Sequence, residues 1–111
     1  MDNFSYGLMP LYTKQKSFYG KAIVYAVEDG SDNYYTLYSY GTAVVSVYVG
    51  PGNITYMKRL WDSYSAPTMC HVNEFLIQEG FTKLSARAWR AMEIGKFYSQ
   101  VDVYALGKNL K

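Results

Sequence analysis

Cys70 and His71 are the only residues of their types in this 111-residue chain, and they set the limits on the chemistry it can carry. One histidine removes every metal site that needs two imidazoles and every mechanism that needs a pair of them. One cysteine removes an intramolecular disulfide and a cysteine-based zinc cluster. Consecutive helical side chains point about 100° apart, so the two do not make a Cys-His dyad. His71 is then either a lone general base or a solvent-facing residue sharing the polar side of a helix with Glu74 and Gln78, and we expect the second. Cys70 reads as a small residue at the margin of the core.

The nine acidic residues are scattered. Glu28, Asp29 and Asp32 cluster among turn formers but lack the ligand spacing of a calcium loop, so they read as solvated turn residues. Gly50-Pro51-Gly52 has neither the lysine nor the following helix of a phosphate loop and reads as a hairpin turn. No catalytic residue, metal ligand or cofactor site is assigned. One charge pattern stands out. Lys83, Arg87 and Arg90 recur at spacings of four and three, which makes a basic stripe roughly opposite Trp89 and Met92. A solvated helix face is the plain reading; a contact for RNA phosphates or an acidic protein surface is the sharper one, and the planar donors of arginine suit both. Tyr64 or Tyr98, where exposed, could stack on unpaired bases. The binding candidates are therefore Lys83, Arg87, Arg90 and Tyr64.

The elements that must position these residues centre on the stretch from Trp61 to Phe81. Ser65 can cap a helix, Pro67 falls early enough to cost no intrahelical bond, and Gly80 can stop it with Phe81 folding back on the last turn. Met69, Val72 and Leu76, with Phe75 beside them, form a stripe that needs a sheet to bury it. Before this helix come strand-like runs: Phe18 to Val27, with Ile23, Tyr25 and Val27 on one face, then Tyr34 to Tyr40, Thr42 to Val49 and Ile54 to Leu60. Short connections between them favour an antiparallel meander. A second helix starts at Ser85, with Leu84 placed as a hydrophobic staple to Trp89, and ends near Gly95. Val101, Val103 and Ala105 alternate with Asp102 and Tyr104 between Gln100 and Leu106, which suits a final edge strand or a frayed helix. Residues 1–15 read as a loosely docked arm, and 16–111 as one α+β domain: a three- or four-stranded antiparallel meander followed by two helices, with a C-terminal edge strand as an option.

The length fits one core. A formal charge of +2 is too small to mark a general nucleic-acid binder and has the wrong sign for a DNA mimic. Thirteen tyrosines suit strands, and they also suit interfaces. No leader pattern and no membrane-length apolar run is visible, and we expect a cytoplasmic protein that is not processed. An edge strand would need cover, which a homodimer could supply.

The segments Lys16-Ser-Phe-Tyr-Gly-Lys-Ala22, Leu37-Tyr-Ser-Tyr-Gly-Thr42, Trp61-Asp-Ser-Tyr-Ser-Ala66, His71-Val-Asn-Glu-Phe-Leu76 and Gln78-Glu-Gly-Phe81 together resemble a family of small proteins encoded on phages, plasmids and integrated elements of low-GC Gram-positive bacteria. The match covers roughly residues 16 to 85. Size, source type and the lack of an enzymatic signature also resemble the small anti-CRISPR proteins that disable type II-A Cas9. That resemblance implies a non-enzymatic inhibitor in the host bacterial cytoplasm that binds Cas9 or interferes with its guide RNA. In it Trp61, Tyr64, His71, Asn73 and Glu74 serve fold or contact, while the Lys83/Arg87/Arg90 stripe comes from this sequence alone. Two alternatives stand beside it: a small RNA- or DNA-binding accessory protein of the element, and a ribonuclease using His71.

Overall fold

A computed structural model describes residues 2–111. Six strands form one antiparallel sheet in chain order: β1 (Asp2–Gly7), β2 (Ala22–Asp29), β3 (Asp32–Ser39), β4 (Thr42–Val49), β5 (Thr55–Arg59) and β6 (Phe97–Ser99). Between β5 and β6 lie two helices, α1 (Ala66–Gln78) and α2 (Ala86–Ala91), and α3 (Gln100–Asn109) closes the chain. The α+β class and the meander agree with the sequence reading, but the sheet is wider than the three or four strands expected. The two additional strands are its edges. The N-terminal arm read over residues 1–15 is, from Asp2 to Gly7, a strand paired with β2; Met1 lies outside the described residues. β6 pairs with β5 over three residues only, too short to show a period.

The marks on α1 act as their chemistry dictates. The Ser65 hydroxyl accepts from the Thr68 amide at 3.3 Å. Gly80, at φ 92°, lets the Phe81 N–H reach the Leu76 carbonyl at 2.8 Å while its own N–H bonds Ile77, the paired arrangement that consumes the last free carbonyls of a helix. Ser85 caps α2 by accepting from the Ala88 amide. That helix is shorter than expected, ending at Ala91 because Met92 already has extended backbone. The Gln100–Leu106 tail is helix, not edge strand: the Ser99 hydroxyl accepts from the Asp102 amide and the Asp102 carboxylate accepts from the Ser99 amide, a reciprocal cap that outweighs the valine alternation.

Strand parity decides which side chains the helices cover. Val24, Leu37, Val45, Val47 and Met57 point to one side and meet Met69, Val72, Phe75 and Leu76 of α1, Ala88 and Trp89 of α2, and Val103 of α3 in one core. Each of the three helices contributes buried apolar residues to that one core, and the opposite face of the sheet carries no helix.

Candidate functional site

Three polar residues of α1 that the sequence left between fold and contact belong to the fold. His71 is 3% exposed, not on a solvent-facing side: its Nδ1 lies 2.8 Å from the Ser39 hydroxyl, which also bonds Thr68 at 3.0 Å, and its ring sits against Phe18 and Tyr40. Burial lowers its pKa, so the imidazole is neutral at physiological pH. A base sealed in the core meets no substrate, and the ribonuclease alternative loses its one candidate. Glu74 is equally buried, and its carboxylate accepts from the amides of Tyr12 and Thr13 at 2.9 and 3.0 Å and from Gln78 Nε2 at 2.7 Å. Although burial acts to raise its pKa, these donors to the ionised form outweigh it and lower the net value. They also pin the segment after β1 onto α1, where the sequence suggested only loose docking. Asn73 grips the Leu84 backbone at both ends, donating to its carbonyl at 3.0 Å and accepting from its amide at 2.8 Å, which fixes the link between α1 and α2.

The four binding candidates lie on the helix side, and the structure brings most of them together. Lys83, Arg87 and Arg90 are all exposed. The Arg90 guanidinium stands 4.6 Å from the centroid of the Tyr64 ring, within cation–π range. Tyr64 and Lys83 border a groove of about 340 Å³ between the Tyr12-Thr13 segment and α1, whose floor includes Met69, Cys70 and Ile77. Arg87 has no place in that groove. Tyr64 is half-buried against the core and also takes the Arg90 guanidinium, so it is not a free stacking face. Tyr98 is withdrawn as a stacking residue: it is buried, and its hydroxyl accepts from the Glu93 amide at 2.9 Å.

A second surface escaped the sequence reading. On the helix-free face, register places Ile23, Tyr25 and Val27 of β2, Tyr34, Thr36 and Tyr38 of β3, Ser46 and Tyr48 of β4, Tyr56 and Lys58 of β5 and Phe97 of β6 on one side. The rings touch one another. Tyr34 and Tyr48 lie 4.7 Å apart between centroids, Tyr48 and Tyr56 each lie 6.2 Å from Phe97, and Tyr25 meets Tyr38 edge-on at 4.9 Å. Lys58 Nζ stands 4.8 Å from the Phe97 centroid. The Tyr48 hydroxyl donates to Asp32 Oδ1 at 2.5 Å, and that bond, with smaller contributions from burial and from the Asp32 charge, pushes its pKa up to about 12. Along this face Asp29 and Asp32 sit at the β2–β3 turn, Lys58 lies mid-sheet, level with Ser46, Thr36 and Tyr25, and Lys21 lies at the opposite end. Alternating aromatic positions on successive strands were the available signal, but tyrosine also occurs on the covered side at Tyr35, which hid the parity.

Among the described residues no group of three or more His, Cys, Asp or Glu side chains is placed to hold a metal ion, and no helix is long and apolar enough to cross a membrane. No curated protein and no solved structure matches the chain. A family profile does match, over residues 6–91, from the end of β1 through α2. The protein therefore belongs to DUF8033, a family of unknown function.

Proposed function

We propose that this protein is a non-enzymatic binder of single-stranded RNA, and that of the two targets implied by the sequence resemblance, a type II-A Cas9 or its guide RNA, the guide RNA is the one it engages. The observation that carries the reading is the open sheet face on which Tyr34, Tyr48, Tyr56 and Phe97 form a contiguous aromatic platform with Lys58 over its rim. Unpaired bases offer planar faces to such a platform, and each stacked base contributes about 1–3 kcal/mol, largely without regard to sequence. A net charge of +2 fits a mode in which stacking outweighs phosphate neutralisation. It sets this face apart from duplex recognition, which requires a denser field of cations.

The test is fluorescence anisotropy with a labelled single-stranded RNA and no Cas protein present. Binding should weaken about tenfold or more in Tyr34→Ser with Phe97→Ser, the expected cost of losing stacking partners. Its salt dependence should be shallow, with a log–log slope near −1.4 if Lys21 and Lys58 each neutralise one phosphate, at about −0.7 per contact on single strands. Absence of RNA binding by the wild type, or undiminished binding by the folded double variant, would refute the reading. Arg87→Glu with Arg90→Glu reports on the helix side: unchanged binding excludes that stripe, whereas its loss moves the contact there. Adding the protein to Cas9 before and after guide loading then distinguishes blocked assembly from blocked DNA recognition.

A further inference from the structure

The helix-free face ends, opposite the acidic β2–β3 turn, in two tight turns set side by side. Phe18-Tyr19-Gly20-Lys21 and Ser39-Tyr40-Gly41-Thr42 each carry a Tyr-Gly pair with both residues left-handed: φ is 51° and 73° in the first and 51° and 81° in the second. The turns are joined, since Lys21 N–H closes the first on the Phe18 carbonyl at 2.9 Å and Tyr40 N–H bonds the Lys21 carbonyl at 2.8 Å. Asparagine, aspartate or glycine ordinarily fills the first of these two positions, because a bulky side chain is strained there. Tyrosine fills it twice. Neither ring belongs to the core, with Tyr19 79% and Tyr40 56% exposed, so burial does not offset the strain.

Beside these turns lies a hollow of about 600 Å³ lined by Gly20, Lys21, Ile23, Tyr25, Tyr38, Tyr40 and Gly41. That volume falls within the range of small-ligand sites. Tyr25 and Tyr38 hold each other edge-on along one wall, and Tyr40 is braced from behind by the His71 ring at 5.4 Å. Gly20 and Gly41 leave the rim open, since a Cβ at either would meet nothing within 4 Å. Lys21 is the only charged residue in the lining, it is exposed, and the one ion pair among the described residues is Lys96–Glu93, elsewhere. The lining thus combines flat π surfaces with a free cation and contains no carboxylate. A planar ring joined to an anion finds both of its complements in this lining, whereas the Lys21 ammonium repels a cationic ligand.

We propose that this hollow is a nucleotide subsite, taking one base among Tyr25, Tyr38 and Tyr40 and its phosphate at Lys21. It rests on the RNA-binding reading and gives the strand a defined end on the platform. The test is NMR titration of the full chain with uridine 5′-monophosphate and with uridine, alongside anisotropy with the single-stranded RNA. The nucleotide should shift the Tyr25, Tyr38 and Tyr40 amides saturably and bind more tightly than the nucleoside. Tyr40→Asn, in which the new residue accepts the left-handed backbone, should fold as the wild type does and bind about tenfold or more weakly. Lys21→Gln should erase the preference for nucleotide over nucleoside. Absent shifts at these amides, or nucleotide affinity unchanged in both variants, overturns the subsite. Strong binding of the RNA strand that neither variant weakens overturns it while leaving the RNA reading intact. Saturable nucleotide binding without any binding of the strand keeps the subsite and overturns the RNA reading.

Discussion

Acid should destabilise this protein through a single buried imidazole. His71 packs between Phe18 and Tyr40 with its Nδ1 on the Ser39 hydroxyl, and burial lowers its pKa below the ordinary value of 6.5. The unfolded chain therefore takes up the proton first. Stability is fully present above pH 6.5 and declines as pH falls from there toward the folded-state pKa, by at most about 1.4 kcal/mol per unit for one proton. Between pH 7.5 and pH 5.5 the loss should be at most about 1.4 kcal/mol. Carboxylates do not produce it: Glu74 is depressed, so its contribution is lost only below the ordinary 4.5, and Glu79 is raised by burial, which favours the fold as acid increases. Urea unfolding of the wild type and His71→Asn at both pH values isolates the effect. The variant should be less stable at pH 7.5 yet nearly flat across the interval. Equal losses in the two proteins, or a flat wild type, would refute the assignment of a neutral, core-locked His71.

Two further perturbations probe the packing. Leu76 is fully buried at the centre of the α1 stripe, and Leu76→Asp should abolish the cooperative thermal transition, since an unpaired carboxylate cannot be solvated there; a Tm equal to the wild type would contradict the packing of α1 on the sheet. Glu74→Ala removes the acceptor for the Tyr12 and Thr13 amides and should free the segment after β1, at a cost of about 1.5–3 kcal/mol, while β2 to β5 stay protected. Hydrogen exchange of residues 8–14 reads this directly, and unchanged protection there would show that other contacts hold the segment.

How much of this was legible depended on how far along the chain each partner lay. Ser65, Pro67, Gly80 and Ser85 act on neighbours within a turn, and the ends they mark stand where the sequence placed them. His71 and Glu74 were misread as solvent-facing because their partners lie far away: Ser39 is 32 residues off, and Tyr12 is 62. Nothing local distinguishes a polar residue awaiting such a partner from one facing water. Arg59 is a parallel case, buried against Trp89 and satisfied by the carbonyls of Trp61 and Met92. The α3 cap was local and readable, Ser99 followed three residues later by Asp102, but Val101 and Val103 suggested a two-residue period that the structure breaks: Val103 is buried and Val101 is 76% exposed. The platform could be found only from register. A tyrosine in a strand declares its parity, not which parity the helices will cover.

That the uncovered parity is the aromatic one bears on affinity as well as location. A sheet face meant only for water is served by threonine, lysine and glutamate, and flexible side chains there would lose rotamer entropy whenever a ligand bound. On this face the rings already restrain one another, Tyr34 against Tyr48 and Tyr25 against Tyr38, and the Tyr48 hydroxyl is tied to Asp32. Much of the ordering cost is therefore met on folding, before any ligand arrives. The tie has an electrostatic consequence too: with its pKa pushed up to about 12, Tyr48 stays neutral throughout the physiological range and adds no negative charge to a surface that must accept a polyanion. Asp32, the acid that accomplishes this, sits at the β2–β3 turn, at the end of the sheet away from Lys21. The face thus gains rigidity from a carboxylate while its cationic end remains clear.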